Sequence, residues 1–318
     1  IGIVSYIHLN KCRIILSNNT IKKKIISLDL NDYIKSLILL MKPRVMSLVI
    51  FTCAVGLLTS NSNINITDSM IGITLVALGA GAAGCLNMWY EADLDALMTR
   101  TCLRPIPTGK INKQQALIFG IFLTVFSVGA LNYFANTLSA TLLLFTILFY
   151  LFVYTIWLKR ITPQNIVIGG VAGSLPPVIG WAIATNSISL ASISLFLIIF
   201  LWTPSHFWAL SLYKADDYKK AKIPMMPLTD GIEKTKIYIF IYSLLMLPVI
   251  ILPYAINFSG LIYLIPAMML TFYYNFMCYD LYKHKKNKFV LKKAKKVFGY
   301  SILYLFLIFV LFLIDNLI

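Results

Sequence analysis

Charge is scarce in this chain, and negative charge most of all. Of 318 residues only 13% are charged, and Asp+Glu number 12 against 28 Lys+Arg. A soluble domain carries about 25% charged residues, so a water-soluble globule is excluded. With 59% hydrophobic residues, disorder is excluded as well. Cysteine is sparse and scattered: the five residues Cys12, Cys53, Cys85, Cys102 and Cys278 form no C-x-x-C pair. A zinc site or disulfide framework is therefore not expected, and the cysteines read as small apolar packing residues. The formal net charge of +16 could point to nucleic acid. The basic residues are too few and too widely separated by apolar runs for that, and no nucleic-acid partner is expected.

What is present is length of apolar run. About 20 apolar residues cross a bilayer as a helix. Nine stretches qualify: 44–59, 69–86, 116–135, 138–157, 165–184, 188–212, 238–256, 260–282 and 297–317, the first reaching back through 38–41. The expected fold is all-α, a polytopic membrane protein with a nine-helix domain over 37–318 behind a basic N-terminal arm over 1–36. The arm lacks a signal peptide's small-residue cleavage site; a targeting role or a start set too far upstream stays open. The short connections at Asn136 and Phe258 predict tight hairpins, and Pro176, Pro177, Pro248, Pro253 and Pro266 predict kinks. Gly79, Gly81 and Gly84, with Gly169, Gly170 and Gly173, allow close helix approach.

The 28 basic residues divide between these spans without remainder. Eight precede the first span, and four, two, six and eight follow spans two, four, six and eight; the other loops and the C-terminus carry none. Such alternation predicts the N-terminus inside and the C-terminus outside.

Five of the twelve acids fall in two segments on the basic side. The first, N-M-W-Y-E-A-D-L-D-A-L-M-T-R-T-C-L-R-P-I-P, covers 87–107. Asn87, Glu91 and Asp95 are spaced i, i+4, i+8 and share one helix face, while Asp93 points elsewhere. Hard oxygens grouped at a membrane surface suit Mg²⁺, which takes one or two carboxylates plus substrate phosphate oxygens. Arg100 and Arg104 follow, and a guanidinium matches phosphate oxygens. The plainer reading is an amphipathic helix end with solvated acids. Charge at the end of a span is costly and usually functional, which favours a site.

The second segment, H-F-W-A-L-S-L-Y-K-A-D-D-Y-K-K-A-K-I-P-M-M-P, covers 206–227. Asp216 and Asp217 stand among Lys214, Lys219, Lys220 and Lys222. It is either a mixed-charge loop or a second half of the site, converging with the first loop on one polyphosphate. His206 is the one histidine inside an apolar run. It reads as a hydrogen-bonded packing residue or as a group acting on substrate, in metal-porphyrin ligation or proton transfer.

The string N-M-W-Y-E-A-D-L-D resembles the N-x-x-x-D-x-x-x-D motif of the UbiA superfamily of membrane-embedded prenyltransferases. With R-P-I-P-T-G after it, M-K-P-R at 41–44 before it, and D-Y-x-x-A-x-I-P-M-M-P at 217–227, the pattern is similar to the branch that farnesylates haem B. The resemblance covers roughly 36–318. Two departures stand out: Glu91 occupies an Asp position, and the second motif lacks its usual pair of acids four apart, since Ala221 follows Asp217 and Lys220 follows Asp216.

The resemblance implies transfer of farnesyl from farnesyl diphosphate to a vinyl group of haem B, giving haem O, in a lipid bilayer. It implies Mg²⁺ held by Asn87, Glu91, Asp95 and Asp217 as the catalytic set, with haem B as substrate rather than cofactor. Substrate would meet Arg100, Arg104, Lys214, His206 and Tyr218; whether the basic residues hold diphosphate or haem propionates stays open. Trp89, Tyr90, Trp208 and Tyr213 are candidates to stabilise an allylic cation, or are interface-belt residues. A UbiA-type enzyme acting on an aromatic quinone precursor is the near alternative. A transporter for an organic anion is disfavoured, since no acid lies in the middle of a span. The bilayer expected is a bacterial inner membrane, with a mitochondrial inner membrane as alternative. Contact with oxidase-assembly proteins or a haem A synthase is a further expectation.

Overall fold

The computed structural model describes residues 29–317, and the arm expected over 1–36 lies outside them up to residue 28. Residues 30–36 are helical. They belong to α1 (Leu30–Leu40), which meets α2 (Pro43–Leu58) at a bend of 52°. The stretch 38–41, expected to extend the first span, is helical up to Leu40 but bent from α2, because Lys42 adopts a left-handed conformation (φ 57°, ψ 57°) and Pro43 restarts the helix at its first position.

Then come α3 (Ile66–Tyr90), the short α4 (Ala92–Leu97) and α5 (Lys113–Phe134). Next is α6 (Thr137–Leu148), which runs on through a π-helical segment Phe149–Trp157 and a 3₁₀ turn Leu158–Arg160. α7 (Asn165–Ser174) and α8 (Pro176–Thr185) form one span broken at Leu175, where Pro176 and Pro177 stand. α9 (Leu190–Tyr213), the short α10 (Ala215–Lys220) and α11 (Met226–Thr229) follow, and α12 (Ile232–Ala255), α13 (Leu261–Lys283) and α14 (Asn287–Leu317) complete the bundle. Eight helical stretches are long and apolar enough to cross a membrane, or nine with the bent pair α1–α2. The described residues contain no strand. The all-α, polytopic expectation of nine spans agrees with this architecture. Pro248, Pro253 and Pro266 lie inside helices that continue through them.

Local chemistry sets the helix ends. Asn112 and Gln115 close a reciprocal capping box on α5 (2.7 and 3.0 Å), and Ser189 with Ser192 does the same for α9. Asn136 caps α6 through Ser139 N (2.8 Å) and donates to Ala182 O (2.8 Å), pinning the tight hairpin to α8. The Asp315 carboxylate accepts from Gly260 N (2.6 Å) and Tyr263 N (3.1 Å), capping α13 from the last helix. The buried Lys236 donates to His284 O (2.7 Å) at the other end of α13.

Packing falls into three apolar clusters. One is built on α9, α12, α13 and α14 around Trp208, Tyr274 and Phe309, and one on α2, α3, α6 and α8 around Cys53, Leu143 and Ile179. A small third cluster, Leu40, Cys85, Met88, Ala92, Ile106, Ile111 and Ala116, underlies the 87–107 loop. α2 and α8 touch backbone to backbone. A Cβ on Gly56 would stand 2.1 Å from Pro177 O, and one on Gly180 would stand 2.0 Å from Cys53 O, so neither position admits a side chain. The basic loops gather at one end, where Lys42 reaches Asn87, Lys159 reaches Glu91 and Thr99 reaches Asp217.

Candidate active site

Asn87 closes α3, Glu91 stands in the turn after it, and Asp95 lies in α4. Consecutive backbone bonds, Glu91 N to Asn87 O (2.9 Å) and Asp95 N to Glu91 O (2.8 Å), carry one helical register through the turn. The three side chains therefore stack at one-turn intervals, as their spacing predicts. All three are buried, at 2, 2 and 3% exposure. Asp93 points away, exposed, and pairs with Arg160 (3.0 Å).

Each stacked residue is met by a basic group. Arg104 Nη1 donates to both Asp95 oxygens, at 2.8 and 2.7 Å. Lys159 Nζ lies 2.5 Å from Glu91 Oε1, an ion pair outside hydrogen-bond alignment, so that Oε1 is left buried with no hydrogen bond. Lys42 donates to Asn87 Oδ1, whose amide nitrogen donates to Thr155 Oγ1 at 3.0 Å. Lys42 is also within electrostatic reach of Arg104, Lys159, Glu91 and Asp95. The result is a buried lattice of alternating charge.

The π-helical segment supplies the opposing wall. Thr155 Oγ1 donates to Tyr150 O (2.8 Å), a five-residue return characteristic of the wide turn. Tyr150 and Tyr154 stack at 5.2 Å, Lys159 lies over the Tyr154 ring at 5.6 Å, and Tyr154 is within electrostatic reach of Glu91, Tyr218 and Arg100. Widened turns of this kind recur at functional sites.

The second segment joins the first. Thr99 Oγ1 donates to Asp217 Oδ1, and Asp217 and Tyr218 are both buried on α10. Asp216 is exposed. Arg100 is exposed and Lys214 half-buried, its ammonium 6.0 Å from the Tyr213 ring centroid; neither makes an ion pair among the described residues.

His206 is placed differently. Its ring is stacked between Trp202 (4.2 Å) and Phe298 (4.5 Å), with Nδ1 2.6 Å from Ser301 Oγ, facing α14. Nε2 makes no hydrogen bond among the described residues. Trp208, a candidate beside the reacting centre by sequence, is buried between Tyr238 and Tyr242 in the core. Tyr90 lies under the Arg160 guanidinium at 5.1 Å.

Lys42, Lys159, Thr155, Tyr150 and Tyr154 escaped the sequence reading as site residues. Lys42 was visible in M-K-P-R and Lys159 in the charge tally, but no spacing rule links either to the motif.

The residues present fit a divalent cation that arrives with a phosphate-bearing ligand. Their donors are hard oxygens, and the carboxylates of Glu91 and Asp95 are ion-paired with Lys159 and Arg104. Glu91, Asp95 and Asp217 do not form a three-acid group that could hold a metal among the described residues; a Mg²⁺ there would need phosphate oxygens beside one or two carboxylates.

The sequence profile of the UbiA prenyltransferase family matches residues 48–302. A relative from Pelagibacter ubique named protoheme IX farnesyltransferase is 76% identical over 277 residues, covering 87% of this chain and 91% of its own length. Among solved structures, a digeranylgeranylglyceryl phosphate synthase superposes with a TM-score of 0.75 at 19% identity, over 89% of this chain and 98% of that one. A UbiA homolog from Archaeoglobus fulgidus bound to DMAPP and Mg²⁺ superposes with a TM-score of 0.60 at 17% identity, over 86% of this chain and 99% of that one. The architecture, the extent of the profile match and the identity to the Pelagibacter relative lead to one statement: the chain belongs to the UbiA prenyltransferase family.

Proposed function

We propose that this chain transfers the farnesyl group of farnesyl diphosphate to a vinyl group of haem B, with water adding a hydroxyl, to give haem O and diphosphate. The observation that carries the reading is the 76% identity over 277 residues to a protein named for that reaction. The buried lattice at the motif supports it, since it combines hard oxygen donors with cations at one end of the bundle.

The difficult step breaks the allylic C–O bond, and the bonding electrons leave with diphosphate. Asn87, Glu91, Asp95 and Asp217 would hold Mg²⁺, which supplies positive charge to the leaving group when bound. Lys42, Arg104 and Lys159, half-buried beside the buried Asn87, Asp95 and Glu91, keep positive charge where negative charge develops. Arg100 and Lys214, without an ion pair among the described residues, are candidates for diphosphate or for haem propionates. Tyr150 and Tyr154 bring aromatic rings beside the acids, stacked on each other with Lys159 over the Tyr154 ring. Tyr218 lines the same wall from α10. The electron-rich vinyl carbon then bonds to the farnesyl carbon, and water captures the remaining cation and releases a proton. His206 is the candidate haem contact, its Nδ1 anchored by Ser301 and Nε2 left without a protein partner among the described residues.

The basic end faces the cytoplasm in this reading, with the N-terminus inside, the C-terminus outside and a bacterial inner membrane as the bilayer. The test is reconstitution in liposomes with farnesyl diphosphate, haem B and Mg²⁺. Haem O should accumulate with one diphosphate per turnover. Turnover with an aromatic quinone precursor, and none with haem B, would replace this reading with the quinone one.

A further inference from the structure

Helix α1 has three faces. Ser36 and Leu40 are buried, and Tyr33 and Leu37 pack on the small cluster beneath the motif loop. Asn31, Asp32 and Lys35 form an exposed face that is polar apart from Leu39, which is 52% exposed among them. Between these, Leu30, Ile34 and Ile38 follow one another at i, i+4, i+8 and are 70, 46 and 50% exposed. No described residue covers that stripe.

Its surroundings indicate the occupant. α2 has 16 residues, which is about 24 Å of helix against a hydrocarbon core of about 30 Å. Arg44, exposed in that first turn, is the residue type expected at the membrane boundary, and α1 leaves the turn at 52°. Beyond the bend, Val45 in the first turn of α2 is likewise apolar and exposed. Lys35 and Arg44 are both exposed beside it, as expected of a helix lying along a lipid surface. An apolar stripe, a polar face carrying Lys and a start at the membrane boundary match a bilayer better than a second protein.

The same turn reaches the active site. Lys42 is held in a left-handed conformation that non-glycine residues seldom adopt. Met41 occupies space that Gly81 leaves open, since a Cβ there would stand 2.6 Å from Met41 Cε. Gly84 likewise faces Met41 O and the Lys42 stem. The elbow thus rests on α3 immediately before Asn87, and Lys42 donates to Asn87 Oδ1.

We propose that α1 is an in-plane helix whose Leu30, Ile34 and Ile38 are seated in the headgroup–acyl boundary of the bilayer, and that this seating fixes the Met41–Lys42 elbow that delivers Lys42 to Asn87. The inference concerns the chain's lipid contact and stands whether or not haem is the acceptor. In a single helix continuous with α2 there is no elbow, and Lys42 loses the turn that aims it inward.

Two measurements on the full chain in proteoliposomes test it. First, a photoreactive benzoyl-phenylalanine replaces Ile34 or Ile38, and in separate samples Asn31 or Lys35. Positions 34 and 38 should crosslink to phospholipid near the glycerol end of the acyl chain, and positions 31 and 35 should not. Adducts near the chain terminus would mean that α1 spans the membrane. Adducts to another protein in native membranes would mean a protein partner. Either result, or no lipid adduct at all, overturns the proposal. Second, the double variant Ile34→Glu/Ile38→Glu is followed by hydrogen exchange. The amides of Val45 and Met46, which bond to Lys42 O at 2.9 and 3.1 Å, should exchange faster by about 10-fold, with the α3 amides still protected. Unchanged exchange at Val45 and Met46 overturns the coupling of lipid seating to the elbow, and the crosslinking stands independently if the double variant fails to fold.

Discussion

Lys159 stands 2.5 Å from Glu91, an ion pair formed between the end of one span and the turn that follows another. Neither side chain is much exposed, at 15 and 3%. Removing one member of a buried pair leaves the other's charge uncompensated, at a cost of about 3–5 kcal/mol. Lys159→Ala should therefore lower the thermal midpoint in detergent, and Lys159→Ala/Glu91→Gln should restore much of it. Both variants should bind farnesyl diphosphate about 10-fold or more weakly. Normal stability of the single variant would remove Lys159 from the lattice.

Asp95 carries a sharper prediction, because Arg104 meets both of its oxygens. Asp95→Asn keeps the volume and loses the charge. Turnover should fall about 100-fold or more, while helical content and expression stay near those of the unmodified chain. Near-normal haem O formation by that variant would exclude Asp95 from the reaction.

Metal and diphosphate should bind together. With no three acids converging among the described residues and each stacked residue already facing a cation, either ligand alone meets an incomplete site. Calorimetric titration of Mg²⁺ with and without a non-reacting farnesyl diphosphate analogue should show about 10-fold tighter binding in its presence. Chelation should stop transfer and leave haem binding intact. Equal Mg²⁺ affinity in both titrations would count against coupled binding.

His206 offers a separable readout. If Nε2 meets haem, His206→Ala should weaken haem binding in an optical titration and shift the Soret band. Ser301→Ala, which loses the partner of Nδ1 and the hydroxyl's bond to Phe298 O, should cost about 10-fold in affinity. A spectrum and affinity unchanged in His206→Ala would leave the histidine as packing between Trp202 and Phe298.

The contact of α2 with α8 predicts contrasting glycine substitutions. Gly56→Ala forces a methyl to 2.1 Å from Pro177 O and should destabilise by about 1–3 kcal/mol or more. At Gly173 a Cβ meets nothing within 4 Å, so Gly173→Ala should be neutral or raise the midpoint slightly. Thermal unfolding of the two variants side by side checks this.

The spans and the stacked motif were legible because each rests on a local rule: apolar run length for the helices, and four-residue spacing for Asn87, Glu91 and Asp95. The cation lattice was not, since Lys42 and Asn87 are 45 residues apart and their meeting depends on helix packing. Periodicity was silent about the π-helical segment, because Phe149–Trp157 is apolar or aromatic on nearly every face and offers no pattern for the wide turn to disturb. Trp208 was nominated from its position in the chain beside the second motif. A helix divides neighbours among faces, and its ring went to Tyr238 and Tyr242 instead.

Pairing each buried acid of the motif with a basic or hydroxyl group also sets an order for biosynthesis. A site whose carboxylates needed metal to tolerate burial would have to be loaded as the chain folded. Here Arg104 and Lys159 come from the chain itself, so Asp95 and Glu91 have their counter-charges as soon as the helices pack.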